Sequence, residues 1–279
     1  MLKNTFCHIP GIGPKTERDL WSAGLLEWPG AGDSCPVPLS PRRAELVLSH
    51  SAESAERLAS ADCVYFYDRL ASAEHWRMFA EFRESTAYVD IETTGLGAPG
   101  DYITTIVLYD GREIRHYVHG RNLEDFPDDV ARYRLLVTYN GKTFDVPFIR
   151  NYFRVQIDQA HIDLRYVLAS LGYRGGLKAS ERRLGLDRED LADVDGFFAV
   201  LLWHDYHANG NARALETLLA YNTLDVVNLA TLMPMAYNMK LAGTPFTDTH
   251  ALAVPKPPPL PFRADRDTIA RIKRRHGWV

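Results

Sequence analysis

One short segment, residues 86–95, places two acidic residues in a strand-like run. It reads Thr-Ala-Tyr-Val-Asp-Ile-Glu-Thr-Thr-Gly, and its aromatic and β-branched residues favour a β-strand. Side chains alternate along a strand, so Asp90 and Glu92 point to the same face. Neighbouring carboxylates in a buried strand repel each other and lose solvation, and a divalent cation such as Mg²⁺ or Mn²⁺ removes both costs. The segment therefore predicts either a metal-binding strand or an edge strand whose acids face solvent.

Composition limits the classes of protein that this chain can represent. Its 279 residues suit one ordinary domain with an appendage, or two small domains. A net charge of −4 provides no global basic field, so any nucleic-acid binding must come from local patches. The widely spaced Cys7, Cys35 and Cys63 predict free thiols in a reducing compartment, and no apolar run is long enough to span a bilayer. We expect a cytoplasmic protein without a membrane partner.

Residues 1–84 predict a small helical extension that begins with a glycine-rich turn. The turn Gly11-Ile12-Gly13 precedes a predicted helix and is similar to the hairpin of helix-hairpin-helix DNA-binding motifs. In that interpretation, Gly11, Gly13 and Lys15 are candidate phosphate contacts. The alternative is a structural turn that docks three apolar side chains onto the main domain: Ile12, Leu20 and Trp21.

Residues 85–240 predict three strands followed by alternating helices and strands. The strands Thr86–Glu92, Ile103–Tyr109 and Glu113–Val118 form an expected antiparallel meander, with Asp110-Gly111 favouring a tight hairpin. Two further strands are predicted at Leu135–Tyr139 and His161–Leu164, with helices between and after them. The expected fold class is therefore α/β, with a mixed five-stranded sheet flanked by helices.

Residues 241–279 predict a Pro-rich linker, Val254–Pro261, and a basic tail. The basic residues of this tail are Arg263, Arg266, Arg271, Lys273, Arg274 and Arg275. A solvated charged helix is the simplest interpretation of such a tail, and contact with a nucleic-acid backbone is the alternative.

Two further acidic sites follow later in the chain. Asp145 comes after a predicted strand, in the first turn of a helix whose dipole favours an anion, where it also suits an N-cap. Tyr221 and Asp225 are four residues apart within a long predicted helix and share one face. Taken alone, Asp225 also suits a solvent-facing position beside a tyrosine at the edge of the core.

Together the three sites resemble a known family. Asp-x-Glu at 90–92, Asn-x-x-x-Phe-Asp at 140–145 and Tyr-x-x-x-Asp at 221–225 resemble the motifs of DEDD 3′–5′ exonucleases, in the tyrosine-containing subgroup. The element order resembles the ribonuclease H-like fold, and the middle motif is most similar to the proofreading domains of family B DNA polymerases. With its N-terminal segment, the chain also resembles the stand-alone YprB-type bacterial proteins.

This resemblance implies an enzyme that hydrolyses phosphodiester bonds of DNA or RNA from a 3′ end, most readily a single-stranded one. It implies that Asp90, Glu92, Asp145 and Asp225 bind two Mg²⁺ or Mn²⁺ ions, and that Tyr221 orients the attacking water. It also implies substrate contacts at Thr93, Thr94, Gly95, Leu96, Asn140 and Lys142.

Three other residues near these motifs have simpler interpretations. Lys142 equally suits an ordinary surface lysine. Asp163 more readily caps the following helix than binds metal, and Lys178 more readily begins a helix than takes part in catalysis.

Two other functions are compatible with the same residues. One is a nucleic-acid-binding or scaffold protein with a vestigial nuclease site, although such a site would have lost some of its four acids. The other is a structure-specific endonuclease on the same fold. A proofreading role would need a partner protein, which the sequence does not identify.

Overall fold

A mixed five-stranded sheet forms the centre of the protein, as the sequence predicts. The computed structural model describes residues 1–30, 32, 34–35 and 37–278. The strands lie in the order β3-β2-β1-β4-β5, with β1, β2 and β3 antiparallel and with β4 and β5 parallel to β1. Their bounds are β1 Thr86–Thr93, β2 Ile103–Tyr109, β3 Ile114–Val118, β4 Leu135–Thr138 and β5 Ala160–Asp163.

Helices precede the sheet, cover both of its faces and follow it. Their bounds are α1 Pro14–Ser22, α2 Pro41–Ala59, α3 Cys63–Arg69, α4 Phe79–Phe82, α5 Phe126–Val130, α6 Asp145–Phe153, α7 Leu164–Ser170, α8 Leu177–Arg183, α9 Gly196–Asn209, α10 Ala212–Leu241, α11 Thr247–His250 and α12 Arg266–Arg275. Short 3₁₀ segments lie at Leu2–Asn4, Ser72–Met78, Arg83–Ser85, Leu123–Asp125 and Glu189–Leu191.

The 30-residue helix α10 positions the later motif against the sheet. It packs on β1, β2 and α9, and most of its residues are buried around its whole circumference, as expected for a helix inside a protein. Asn211 caps its first turn by accepting a hydrogen bond from the Arg213 backbone N–H. In the described part of the chain, no helix is both long enough and apolar enough to cross a membrane.

The two faces of the sheet have separate cores. Val89, Ile91 and Leu108 pack under α5 and α6, while Tyr88 and Val107 face α10 and the N-terminal helices. Because alternate residues of β1 share a face, Asp90 and Glu92 lie on the α10 side with Tyr88.

The N-terminal extension shares one apolar core with the α10 face of the sheet. The Trp76 ring packs edge-on against Tyr237 of α10, with 5.3 Å between the ring centroids. Helix α3 was not predicted, although Asp62 caps it by accepting a hydrogen bond from the Tyr65 N–H. Residues 72–82, at the end of the predicted helical extension, form a 3₁₀ segment followed by the short α4.

The β2–β3 hairpin also differs from the prediction of a two-residue turn. Tyr109 pairs with Ile114, so the loop contains four residues. The Asp110 carboxylate accepts hydrogen bonds from the Arg112 and Glu113 N–H groups, and this side-chain turn stabilises the longer loop.

The C-terminal tail is docked rather than freely solvated, which corrects the simplest interpretation of its sequence. Ile269 and Ile272 of α12 are buried in the core formed with α9 and α10. Its basic side chains pair with acids of the domain: Arg266 with Asp190 at 2.5 Å, Arg271 with Asp205 at 2.5 Å and Lys273 with Asp193 at 2.7 Å. Much of the tail's positive charge is therefore already neutralised.

Candidate metal centre

Three of the predicted metal ligands meet at the end of β1. Ligand oxygens of Asp90, Glu92 and Asp225 all lie within 4.8 Å of one another. Glu92 and Asp225 are buried and Asp90 is half-buried. The Asn222 side-chain amide donates a 2.6 Å hydrogen bond to Asp90 Oδ2 and accepts one of 3.0 Å from Thr105 Oγ1. Asn222 therefore fixes the Asp90 carboxylate against α10.

These carboxylates resist ionisation because they are desolvated and close together. Burial and the charges of Asp225 and Asp145 raise the pKa values of Asp90 and Glu92 well above their usual range. Burial likewise raises the pKa of Asp225 to about 6, although the neighbouring Arg188 guanidinium opposes that shift. The cluster is thus an excess of negative charge that a cation would relieve.

Asp145, the fourth predicted ligand, is buried at the start of α6 but lies outside this set of three. Burial raises its pKa to about 7, and the charge of Asp225 adds to the shift. The Asp145 carboxylate also accepts hydrogen bonds from the backbone N–H groups of Asp145 and Ile91, and these bonds oppose the rise in its pKa. The Ile91 contact holds Asp145 at the strand segment that carries Asp90 and Glu92.

The residues of the cluster fit a divalent cation with oxygen ligands. Asp225 Oδ1 is buried and forms an ion pair with Arg188 Nη2, and Arg188 also pairs with Glu181. One shared guanidinium cannot balance the clustered carboxylates, and Mg²⁺ or Mn²⁺ would supply the remaining positive charge. Four carboxylates would also balance the charge of two divalent ions.

Arg188 and Glu181 are parts of the site that the motifs did not predict. Arg188 donates hydrogen bonds to both carboxylate oxygens of Glu181, at 2.5 and 2.7 Å. Glu181 also accepts a hydrogen bond of 2.8 Å from the Asn228 side-chain amide. Both charged side chains are buried. Arg188 lies in a loop, where no periodic sequence pattern marks it as part of the site. The sequence indicates only that four clustered acids need a positive charge nearby.

Tyr221 lies one helical turn before Asp225 and is buried. Burial and the charges of Asp225 and Glu92 raise the pKa of its phenol far above the ordinary value, so the hydroxyl stays protonated. Lys178 begins α8 as predicted, yet its ammonium lies 5.4 Å from the Tyr221 ring centroid and favours the ionised form of Glu92. Lys178 therefore begins the helix that the sequence predicts and also belongs to the electrostatic environment of the site.

The predicted substrate contacts after β1 form a compact turn. Thr93 Oγ1 donates a hydrogen bond of 2.5 Å to the Gly95 carbonyl, and the Thr94 hydroxyl accepts one of 3.0 Å from the Tyr102 N–H. A Cβ atom at Gly95 would lie 2.5 Å from Asp101 Oδ1, so this approach requires glycine. Leu96 projects from the turn with 92% of its surface exposed.

The turn after β4 is held by Asp163. Its carboxylate accepts hydrogen bonds from the N–H groups of Asn140, Lys142 and Arg165, which confirms the predicted cap and also fixes the loop. Asn140 adopts a left-handed backbone with φ of 70°. The Lys142 ammonium points into a different cavity, 3.2 Å from Ser72 Oγ and 4.7 Å from the Tyr67 ring centroid.

The N-terminal glycine turn has features of both of its interpretations. Gly11 has a φ of 79°, Gly13 precedes α1, and Lys15 is exposed. The three apolar side chains of the alternative interpretation are buried: Ile12, Leu20 and Trp21. The turn is thus docked onto the domain, and phosphate binding there stays a prediction.

Comparison with known proteins places this chain in a family. Residues 87–237 match the family model of the RNase H superfamily. This match covers more than half of the chain, and the chain belongs to that superfamily.

Two solved structures resemble the chain. One is the family B DNA polymerase from the hyperthermophilic archaeon Pyrobaculum calidifontis, at a TM-score of 0.40 and 18% identity over 60% of this chain and 27% of the polymerase. The other is described as the apo form of a nuclease, at a TM-score of 0.31 and 19% identity over 62% of this chain and 92% of that one. This chain thus spans little more than a quarter of the polymerase. No curated protein matches it.

Proposed function

We propose that this protein is a divalent-metal-dependent 3′–5′ exonuclease of the tyrosine-containing DEDD subgroup, similar to the YprB-type bacterial proteins. The observation that carries the proposal is the meeting of Asp90, Glu92 and Asp225 within 4.8 Å. The Tyr221 phenol, one helical turn before Asp225, supports the choice of subgroup. Such a cluster is costly for an apo fold and becomes favourable when cations bind.

In this proposal, Asp90, Glu92 and Asp225 bind the metal, with Asp145 as the fourth ligand of a two-ion site. Bound Mg²⁺ or Mn²⁺ supplies Lewis-acid activation of the phosphate and of the attacking water. Hydrolysis adds water across the bond between phosphorus and the 3′ oxygen. The products are a nucleoside 5′-monophosphate and a shortened strand with a free 3′ hydroxyl.

The surrounding side chains have distinct roles in this chemistry. Because a free phenol ionises only near pH ~10, Tyr221 positions the attacking water by hydrogen bonding in this proposal and does not act as a base. Asn222 orients Asp90, and Arg188 offsets the charge of Asp225. The exposed Leu96, on the turn after Glu92, is placed to press against the terminal base.

The test is the degradation of 5′-labelled single strands of DNA and RNA in Mn²⁺ or Mg²⁺. Asp90→Asn and Asp225→Asn should each lower the rate by about a thousandfold or more, comparable to removal of a major transition-state contact. The control is Asp128→Asn, an exposed acid of α5 outside the cluster, which should keep full activity. Full activity in either cluster variant would refute the site.

A circular single strand separates this proposal from the endonuclease alternative. An exonuclease needs an end, so the circle should persist while the linear strand is shortened progressively from its 3′ terminus. Cleavage of the circle at the rate of the linear strand would assign the same cluster to an endonuclease. Absence of cleavage in both would favour a binding protein with a vestigial site.

A further inference from the structure

A cavity of about 550 Å³ opens at the carboxyl ends of β4 and β5. It lies between the turn that follows β4, at Tyr139 and Asn140, and the segment that joins α7 to α8, residues 171–176. Because β4 and β5 run parallel to β1, their carboxyl ends lie at the same edge of the sheet as Glu92, where α/β proteins bind ligands. The cavity therefore flanks the acidic cluster.

The cavity combines positive charge with aromatic rings and contains no acid. Arg165, Arg174, Tyr139 and Tyr173 line it, and none of its described lining residues is a carboxylate. Both arginines are exposed, and neither forms an ion pair within the described residues. The Arg183 guanidinium packs against the Tyr173 ring, 4.5 Å from the ring centroid.

This pattern differs from that of the other basic segment of the protein. In α12, Arg266, Arg271 and Lys273 are all paired with carboxylates, so little of their charge is available to a phosphate. Arg165 and Arg174 differ from these residues because their charges are unpaired within the described residues and line a cavity beside the acidic cleft. They indicate an anionic ligand that approaches from this side.

The lining groups are also held in position. Arg165 donates a hydrogen bond from Nη1 to Asn140 Oδ1, and Asp163 binds the backbone N–H groups of both residues. Tyr139 is half-buried directly after β4, and Ser180 of α8 donates a hydrogen bond to the carbonyl of Gly176, another lining residue, at 3.0 Å. A groove prepared in this way loses little entropy on binding a ligand.

We propose that this cavity binds single-stranded nucleic acid, one nucleotide upstream of the 3′ terminus, with a base on Tyr173 and phosphates on Arg165 and Arg174. This rests on the proposed function, which places the terminal nucleotide at the acids. A base can stack on a tyrosine only when it has left its own helix, so the cavity selects single strands over duplex. Stacking of this kind tolerates any base, as a processive exonuclease requires.

The first test measures binding without catalysis. Fluorescence anisotropy of labelled oligothymidylate is recorded with Asp90→Asn protein in EDTA, over a range of salt concentrations. In that background, Arg165→Ala with Arg174→Ala should weaken binding about tenfold and reduce the slope of log K against log salt by about 1.4, or 0.7 for each lost phosphate contact.

The matched control removes the same charge elsewhere. Arg42 and Arg43 of α2 are exposed and form no ion pair within the described residues, so Arg42→Ala with Arg43→Ala should leave affinity and slope unchanged. If this control weakens binding as much as the cavity variant, the interaction is diffuse electrostatics and the assignment is wrong. Thermal unfolding of each variant checks that the fold is intact.

The second test separates stacking from charge. Tyr173→Leu should weaken oligothymidylate binding about tenfold, within the range for one stacked base, but should not change binding of an abasic strand of equal length. Oligouridylate in place of oligothymidylate identifies the sugar that the cavity prefers. Equal binding of duplex and single strand, or equal losses on both strands in Tyr173→Leu, would overturn the proposal.

Failure of the two proposals can be distinguished because these readouts need neither metal nor cleavage. If wild-type protein cleaves nothing but the cavity variants lose binding, the site is a single-strand binding groove and the exonuclease proposal is wrong. If wild-type protein degrades strands but the variants bind normally, the substrate takes another path to the acids.

Discussion

Two buried clusters of charge in this protein are built on opposite principles. In the N-terminal extension, Glu17 and Arg77 are 1% and 4% exposed. Glu17 accepts hydrogen bonds from the Phe6 and Cys7 N–H groups and from two nitrogens of Arg77, at 2.6 to 3.2 Å. Arg77 also donates to Glu74 at 2.8 Å, and Glu74 has a second cation, Lys240, at 3.4 Å. Two acids and two bases are therefore matched, and Glu17 and Arg77 each have several hydrogen-bond partners.

The acidic cluster at the end of β1 lacks this balance of charge. Asp90, Glu92 and Asp225 have like charges and lie within 4.8 Å of one another. Arg188 forms an ion pair with Asp225, but it is shared with Glu181. Balanced pairing indicates a structural role for the first cluster, whereas the excess of carboxylates in the second indicates a cation that the polypeptide does not supply.

The largest expected effect tests the structural role of the first cluster. Glu17→Ala should destabilise the protein by about 3–5 kcal/mol, because it leaves a buried guanidinium without its main partner. Urea unfolding measures the change. The double variant Glu17→Met with Arg77→Met should recover part of the loss, since it removes both charges of the pair and Glu74 keeps Lys240 as a partner. An unchanged urea midpoint in the single variant would show that the pair is not a structural requirement.

The next effect concerns the counter-charge of the second cluster. Arg188→Met should strengthen Mn²⁺ binding by about tenfold, or ~1.4 kcal/mol, because it removes a cation that competes for Asp225. Isothermal titration calorimetry measures the affinity, and Arg188→Lys should stay near wild type. Weaker Mn²⁺ binding in Arg188→Met would mean that Arg188 supports the metal site and does not compete with it.

A smaller effect separates stability from function at the acids themselves. Asp90→Asn should raise the unfolding temperature of metal-free protein by about 2–4 °C, since one like charge is removed at a gain of ~1 kcal/mol. The same variant should lose most of the stabilisation that Mn²⁺ gives to wild type. A variant that melts below wild type in EDTA would show that the Asp90 charge contributes to the fold.

The contrast between the clusters also explains what the sequence predicted. Strand alternation and helical spacing are local, so the sheet and the positions of Asp90, Glu92 and Asp225 followed from short patterns. The partners of charges are set by tertiary contacts between distant segments. For that reason the Arg188 contact with Asp225, the Glu17–Arg77 pair and the direction of the Lys142 side chain were not predicted.

The docking of α12 was missed for a related reason. Its basic residues suggested a free charged helix, whereas Ile269 and Ile272 are spaced three apart and face the core. The acids that pair with this helix lie on segments far away in sequence, at Asp190, Asp193 and Asp205. A charge pattern indicates which side chains need partners but not where those partners are.

The last effect is a pH dependence that has opposite signs at different groups of the molecule. In EDTA, the folded protein binds protons at Asp145 and Asp225 with pKa values of about 7 and about 6, above those of the unfolded chain. These two groups should therefore add stability as pH falls from about 7 to about 5. Four buried histidines oppose that gain over the same range, because burial lowers their pKa values to about 3 or 4 and the unfolded chain then binds more protons: His8, His75, His116 and His161. Hydrogen bonds from Arg271 lower the pKa of Asp205 to about 2, so its contribution is lost only as pH falls from about 4 towards 2.

Thermal unfolding at a series of pH values is compared between wild type and Asp145→Asn with Asp225→Asn, so that the difference separates the two acids from the histidines. In EDTA, the stability of wild type relative to this variant should rise as pH falls from about 7 to about 5. Excess Mn²⁺ should flatten this relative rise, because bound cations stabilise the ionised carboxylates that protons otherwise neutralise. Asp205→Asn should remove only part of the loss at low pH and leave the relative rise unchanged. A relative stability that falls over that range would contradict the repulsion assigned to the acidic cluster, and with it the difference drawn between the two buried groups of charge.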